Sequence, residues 1–358
     1  MTRSDRDRAG AAKSAADQGA GHRAQLFQGG RHRPGRGEPT VVPEATFASY
    51  YGRPVLKAPV WEWKIAAYLF TGGLAAGSSV VAAAADLTGR RRLRRGGWLG
   101  ALAALLASLW FLVSDLGRPE RFLHMLRVAK PTSPMSVGTW LLTAFGAGVG
   151  VPALAELVPR RWGRTRAARL LRASARPAGL CAALTAPGVA SYTAVLLSHT
   201  AVPGWNEVHR ELPFVFTGSA AASGGGLGML AAPVAEAGPA RVFAAVGAAQ
   251  ELVAARVMEH RMGLVGEAYR TGRVGPARRA AELATAAGLA GTVLVAHRSR
   301  RAAVLSGLAL LTGSALQRYG VFAAGVQTTK DPRYVVVPQR ERLSGQTVGD
   351  PALGPIDR

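Results

Sequence analysis

Residues 64–86 read KIAAYLFTGGLAAGSSVVAAAAD, and the basic run GRRRLRR follows at 89–95. No charged residue lies between Lys64 and Asp86. About 20 apolar residues in a helix are enough to cross a hydrocarbon core of about 30 Å. Two tryptophans stand close before the stretch, which is typical of a membrane interface. The stretch therefore predicts a transmembrane helix.

The same alternation of apolar segments and basic runs continues along the chain. Hydrophobic residues make up 49% of the 358 residues and charged residues only 18%. A soluble helical protein would spread its charges along one face of each helix, whereas here they are clustered. The predicted fold class is an all-α integral membrane protein with about eight transmembrane helices. The seven further spans are predicted at about 97–116, 136–158, 178–200, 212–235, 240–260, 279–296 and 302–325.

A short internal repeat suggests that the helices form two halves. The tripeptide FTG at 70–72 in the first span recurs at 216–218 in the fifth, and small residues follow both copies. Spans four apart have the same orientation, so the repeat favours two four-helix bundles. Recurrence of small residues at membrane helix contacts is the alternative explanation. The predicted parts are a disordered basic tail (1–55), a first bundle (56–200), a second bundle (201–326) and a polar tail (327–358).

Small residues also predict close helix contacts. Gly73 and Gly77 form a small-xxx-small motif that lets two helix backbones approach each other. The glycine-rich segment at 224–228 is interpreted in the same way.

The formal net charge is +23, which in a soluble chain would suggest a nucleic-acid partner. Here the arginines lie between apolar spans, as in the stretch 159–176, which is predicted to be a loop. They are interpreted as residues that set topology and meet anionic lipid headgroups of the bilayer, and no nucleic acid is expected. More basic residues follow spans one, three, five and seven than the others, so those loops are predicted to be cytoplasmic and both termini outside.

The chain offers few ligands for a metal centre. Its single cysteine, Cys181, cannot form an internal disulfide or an iron–sulfur site. His199 and His260 lie near predicted helix ends, which does not suit a haem with two axial histidines. Any metal centre is therefore expected to belong to a partner.

Charged residues at membrane depth are costly and mark functional candidates. Glu251 lies deepest and is the candidate for proton transfer in the second half, with Arg256 five residues on as a conceivable partner. Four others fall at predicted helix ends, where side chains can reach the interface: Asp86, Glu156, Glu236 and His260.

The connection between spans two and three carries the densest motif. It reads SDLGRPERF at 114–122, with His124 after it, and PTSPMSVGTW at 131–140. Asp115 is predicted to cap a helix or pair with the nearby arginines, and Pro119 and Pro134 are predicted to stop helices. This mixed-charge segment, 117–135, is predicted to be a docking surface or the rim of a site.

This connection resembles that of the NrfD/PsrC-type membrane subunits of molybdopterin and related oxidoreductases, also called the polysulfide reductase family. The stretches SYTAVLLS at 191–198 and GGLAAG at 72–77 agree with it, as do Tyr68 and Arg318. The resemblance covers about 55–330.

The resemblance implies a subunit of the bacterial cytoplasmic membrane that is not catalytic alone and carries no haem or metal. Such subunits bind a quinone of menaquinone or ubiquinone type near the face that docks an iron–sulfur subunit, which serves a molybdopterin catalytic subunit. The implied quinone contacts are Glu62, Lys64 and Tyr192, with Asp115 and His124 as proton relays at the same site. The expected docking residues are Arg118, Glu120, Arg121, Ser133 and Met135.

Two other classes remain open. A secondary transporter or proton-translocating protein would suit paired bundles and Glu251, but it should show broken helices at matching positions of both halves. The pair Pro187 and Gly188 in span four has no clear counterpart in span eight. A purely structural anchor without a quinone site is the third class.

Overall fold

The computed structural model describes residues 54–159 and 165–347, with the side chains of 342–347 excepted. Almost all of the tail predicted at 1–55 lies outside these residues. Within them every regular element is a helix, and eight helices have 20 residues or more. These are α1 (Trp63–Leu87), α2 (Arg91–Ser114), α3 (Pro134–Leu157), α4 (Arg166–Ser198), α5 (Leu212–Ala231), α6 (Gly238–Arg261), α7 (Val274–Leu294) and α8 (Arg300–Thr328).

The eight long helices coincide with the eight predicted spans, and the all-α membrane fold class is confirmed. Helices α1 to α5 are long and apolar enough to cross a membrane. Helices α6, α7 and α8 do not meet this standard of length and apolarity, and each carries a buried charged residue, namely Glu251, Arg278 and Arg318. That these three also span the bilayer stays a prediction.

Two sequence expectations about helix ends were wrong, and one helix was not predicted. Helix α4 begins at Arg166, inside the stretch predicted as a loop, because the Thr165 side chain accepts a hydrogen bond from the Ala168 N–H at 3.2 Å and caps it. Pro119 and Pro134 start helices rather than stop them, since the first turn needs no N–H from proline. The polar tail contains a further helix, α9 (Arg333–Thr347).

The helices pack in two neighbouring groups. In the first, α1 contacts α2 and α4, while α3 contacts α2 and α4; in the second, α6 contacts α5 and α7, while α8 contacts α5 and α7. The groups meet mainly along α1 and α5. A side chain at Gly77 would overlap the Ala220 carbonyl, and one at Gly224 would overlap the Gly77 backbone. The glycines therefore permit the close approach that the sequence predicted.

At the end where α1 begins, an aromatic stack joins the two groups. Trp61 stacks on Trp205 with ring centroids 5.7 Å apart, and Trp205 stacks on Phe322 at 5.9 Å. The Trp205 indole N–H donates to the Val321 carbonyl at 2.9 Å. The stack fixes the start of α1 against α8.

At the opposite end, Glu236 holds the two groups together. Its carboxylate accepts hydrogen bonds from the N–H groups of Arg92 at 2.7 Å and Leu93 at 3.4 Å. It therefore caps the start of α2, where a negative charge is favoured. Glu236 lies at a helix end, as the sequence predicted, and it has this capping role there.

Candidate functional site

Three of the predicted quinone contacts meet where α1 begins and α2 ends. Lys64 Nζ lies 3.4 Å from Glu62 Oε2 and donates to the Ser114 carbonyl at 3.5 Å. The Asp115 carboxylate interacts electrostatically with the Glu62 N–H and with Lys64. Burial raises the pKa of the Asp115 carboxyl above its ordinary 3.8, and these two contacts oppose the shift. Asp115 therefore has α1 residues as partners, not the arginines predicted from the sequence.

Two tyrosines are the other candidates at this end of the first group of helices. Tyr192 of α4 is half-buried, and its ring lies against Gly138 of α3, where any side chain would overlap it. Tyr68 of α1 is buried one turn after Lys64, and its phenol interacts electrostatically with that of Tyr192. Among the described residues, neither hydroxyl has a hydrogen-bond partner. We call Glu62, Lys64, Tyr68, Asp115 and Tyr192 the surface site.

Tyr68 was among the residues that carry the family resemblance, but it was not predicted to belong to the site. A signal was present, because residues four apart share one face of a helix and Tyr68 stands four after Lys64. Side chains of a helix also lean toward its start, which directs Tyr68 toward the Lys64 turn.

The connection 117–135 is an exposed but anchored segment. It contains a 3-10 helix, Pro119–Arg127, in which no residue is buried. Ser136 Oγ donates to the Val128 carbonyl at 2.8 Å and accepts from the Lys130 N–H at 2.9 Å. The Trp140 indole donates to the same Val128 carbonyl at 3.1 Å. These bonds fix the end of the segment to the start of α3.

The predicted docking residues lie along this segment. Arg118, Glu120 and Arg121 are exposed, Met135 is 57% exposed, and Ser133 caps α3 by accepting a bond from the Ser136 N–H. Exposed apolar side chains accompany them, which are Leu123, Val128, Val137 and Trp140. The segment therefore presents mixed charged and apolar chemistry, as partner-binding surfaces do.

His124 is exposed in the 3-10 helix. In the part of the chain that the structure describes, no hydrogen bond or ion pair joins it to Asp115. The structure does not bring this predicted relay into the surface site.

A second polar group lies inside the second group of helices. Glu251 of α6 is buried, and its Oε2 atom has no hydrogen-bond partner among the described residues. Its electrostatic partner is Arg318 of α8. Arg256, the partner considered from the sequence, instead pairs with Glu282 of α7.

Arg318 is completely buried between the two groups of helices. Its Nη2 atom donates to the Phe216 carbonyl at 2.6 Å, and its guanidinium lies 3.8 Å from the centroid of the Phe216 ring. A side chain at Gly73 of α1 would come within 2.8 Å of Nη2. Gly73 on α1 therefore leaves space for the guanidinium group of Arg318 on α8.

More buried polar atoms surround this pair. Gln317 Nε2, Thr285 Oγ1 and one Arg278 nitrogen lack hydrogen-bond partners in the described structure. A cavity of about 10 Å³, the size of one water, adjoins Glu251, Arg278, Thr285 and Gln317. We call Glu251, Arg278, Thr285, Gln317 and Arg318 the interior cluster.

Arg278 extends the cluster toward the same end of the bundle as the surface site. It is buried near the start of α7 and pairs with Glu259 of α6. The sequence reasoning missed Arg278 and Arg318 as buried residues. Arg318 offered a signal, since it lies inside a predicted apolar span.

Within the described residues no cluster of three or more His, Cys, Asp or Glu side chains is placed to hold a metal ion.

The fold and the surface site together define a multi-pass helical membrane protein with a polar site where its first helices reach one face. A family model described as "Polysulphide reductase, NrfD" matches residues 54–245, more than half of the chain. The chain belongs to this family, and it is therefore a membrane subunit of the oxidoreductase-complex type. No curated protein matches the chain.

Proposed function

We propose that this chain exchanges electrons between the membrane quinone pool and an iron–sulfur subunit, which in turn serves a molybdopterin catalytic subunit. The proposal places the complex in the cytoplasmic membrane of a bacterium. The observation that carries it is a pair of interacting phenols, Tyr68 and Tyr192, which have no hydrogen-bond partners among the described residues, with Tyr68 one helical turn after Lys64. Family membership supports the complex in general, and the exposed segment 117–135 next to the site supports a docked partner.

The residues of the surface site fit a quinone head. A quinone of menaquinone or ubiquinone type, when bound, supplies a two-electron, two-proton carrier with two ring oxygens to be hydrogen-bonded. Tyr192 and Tyr68 have free hydroxyl donors for such oxygens. Lys64 adds a positive charge, and its contact with Glu62 holds the ammonium at the helix start.

Asp115 is the proposed proton carrier of the surface site. It is only partly buried, so its carboxylate can exchange protons with water at the membrane face. Burial favours its protonated form, which brings its pKa closer to neutral pH and suits proton transfer. His124 has no assigned role in this proposal, because no hydrogen bond or ion pair joins it to Asp115 in the described part of the chain.

The proposal is tested by purifying the full chain in mild detergent with whatever accompanies it, and by assaying iron, molybdenum and quinone. We expect all three with the unaltered protein. An Arg118→Ala/Arg121→Ala variant should lose iron and molybdenum but keep quinone, because it alters only the docking segment. The matched control is Arg298→Ala/Arg301→Ala, which changes one exposed arginine of the α7–α8 connection and one in the first turn of α8. It should lose neither iron nor molybdenum.

The outcomes separate the three classes. If iron accompanies the protein but quinone does not, the result would support a structural anchor. If both iron and quinone are absent, the redox function would be contradicted. Quinone and iron together in the unaltered protein are the required result.

A second candidate function, proton transfer through the interior, is favoured by one observation. The Glu251 carboxylate is buried with an unpartnered oxygen beside a water-sized cavity. A buried carboxyl in a membrane bundle is a site where a proton can bind and leave. Helix α4 continues through Pro187 without a break, so the unwound helix typical of transporters is not seen there.

This candidate is tested by measuring protons moved across the membrane per quinol oxidised or quinone reduced, after reconstitution of the complex into liposomes. Glu251→Gln should lower that ratio, while Glu267→Gln, at an exposed ion pair with Arg333, should leave it unchanged. An unaltered ratio in Glu251→Gln would exclude proton transfer through this residue.

A further inference from the structure

A basic pocket lies at the opposite end of the first group of helices from the surface site. It has a volume of about 600 Å³ and opens between the start of α2, the end of α3 and the first part of α4. Four guanidinium groups line it, those of Arg94, Arg95, Arg172 and Arg176. Its two carboxylates are those of Asp86 and Glu156. The lining therefore has a net charge of +2.

Arg94 engages both carboxylates. Its Nε atom lies 2.6 Å from Glu156 Oε1, and its Nη1 atom lies 3.2 Å from Asp86 Oδ1. Arg176 approaches Asp86 more loosely, at 3.7 Å. Both acidic residues lie at helix ends, as the sequence predicted, and their ion pairs with Arg94 link those ends.

Arg95 and Arg172 are left with free guanidinium groups. Both are exposed, and neither has an ion pair or side-chain hydrogen bond within the described ranges. Guanidinium groups bind phosphate through paired N–H donors. Two such groups beside a third, loosely paired arginine form a binding place for an anion that carries phosphate.

Apolar surface continues from the pocket toward the bilayer interior. On α4, Leu180 and Leu184 follow Arg172 and Arg176 at four-residue steps, so they lie on the same side of the helix. Leu184 is 81% exposed. On α3, Leu154 and Leu157 are also exposed. A headgroup in the pocket would therefore have room for acyl chains along these leucines.

We propose that this pocket binds the phosphate headgroup of an anionic phospholipid, with Arg95, Arg172 and Arg176 as phosphate ligands and the α3–α4 leucines against its acyl chains. The carboxylates hold Arg94 as the fixed wall of the pocket. Basic pockets between transmembrane helices are suited to such lipids, and the positive-inside prediction places this end at the cytoplasmic leaflet, where anionic lipids concentrate.

The shared chemistry is a phosphate, so the test separates a lipid from a free anion. The full chain in neutral detergent is titrated with phosphatidylglycerol, phosphatidylcholine or inorganic phosphate, and its thermal unfolding temperature is followed. Phosphatidylglycerol should raise that temperature, while phosphatidylcholine and inorganic phosphate should not. Native mass spectrometry should show retained phosphatidylglycerol.

The variant is Arg95→Gln/Arg172→Gln, and the matched control is Arg298→Gln/Arg301→Gln, which removes equal charge from the end predicted to be cytoplasmic. Each arginine near an anionic headgroup contributes about fivefold, so the pocket variant should bind phosphatidylglycerol about 30-fold more weakly. The control should bind it like the unaltered protein. Equal loss in both variants, no preference over phosphatidylcholine, or the same stabilisation by inorganic phosphate would overturn the proposal.

Discussion

The surface site and the interior cluster deal with charge in a membrane in opposite ways. In the surface site Lys64 pairs with Glu62 and attracts Asp115 at a helix end, where water is near. In the interior cluster Arg318 and Glu251 are fully or almost fully buried, and several atoms lack partners. The first arrangement costs little desolvation free energy. The desolvation free energy of the second must be offset by other contacts in the fold. The surface site should therefore matter more to activity, and the interior cluster more to stability.

The largest effect is expected from breaking the interior cluster. Arg318→Met removes the bond to the Phe216 carbonyl and leaves the buried Glu251 without its positive partner. Leaving a buried polar group without its partner costs about 1–3 kcal/mol, and more where that group is charged. Unfolding of the purified chain in detergent should show a loss of this size.

The controls separate charge from packing. Glu251→Gln/Arg318→Met should recover part of the lost stability, because no unpaired charge remains buried. Arg301→Met, at an exposed position, should have no effect. If Arg318→Met alone were as stable as the unaltered protein, the contrast between the two regions would be lost.

A smaller effect is expected at the boundary between the two groups of helices. Gly77→Ala would place a methyl group against the Ala220 carbonyl and force α1 and α5 apart. Overpacking of this kind costs about 1–3 kcal/mol. The unfolding free energy in detergent measures it.

The matched control is Gly150→Ala on α3, where the added methyl meets open space. That change should be neutral or slightly stabilising, since alanine favours a helix over glycine. Equal results for the two glycines would show that close contact does not hold the two groups together.

The sequence predicted the helices well because membrane spans follow from the length of their apolar segments. All eight long helices were anticipated, whereas the partners of Asp115 were not, and the docking role of 117–135 stays a prediction. Helix starts were missed at Arg166 and at α9, since arginine-rich segments look the same in a loop and in a helix.

The interior cluster was harder to anticipate. Arg318 and Glu251 interact electrostatically from helices that are far apart in the chain. A single sequence does not show which buried charges interact. Both residues also lie beyond the segment 54–245 that matches the family.

A moderate effect is expected from freeing the docking segment. Ser136→Ala removes the bonds to the Val128 carbonyl and the Lys130 N–H. A net hydrogen bond contributes about 1 kcal/mol, so partner affinity should fall severalfold. Iron retained per chain through graded detergent washing measures this.

Ser191→Ala serves as the control, because Ser191 Oγ bonds only within its own helix, to the Pro187 and Gly188 carbonyls. Iron retention should not change there. Unaltered retention in Ser136→Ala would mean that anchoring of the segment does not matter for docking.

The smallest effect concerns the pH dependence of the surface site. Because the pKa of Asp115 is raised in the folded protein, that state holds its proton to higher pH than the unfolded chain does. The stability contribution of Asp115 is therefore largest at low pH and falls as the pH rises from 3.8 through the raised folded pKa. Unfolding between about pH 3.5 and pH 7 should show this slope, and Asp115→Asn should remove it. A slope that persists in the variant would assign it to another group.

The most direct test of the central claim is quinone turnover by the assembled complex carrying Tyr192→Phe. The control is Tyr319→Phe, which removes the same hydroxyl from a 42% exposed tyrosine of α8. Loss of one hydrogen bond of about 1 kcal/mol predicts turnover three- to tenfold lower in Tyr192→Phe, with iron content unchanged. Tyr319→Phe should match the unaltered complex. Equal turnover in all three would contradict the placement of the quinone head at the surface site.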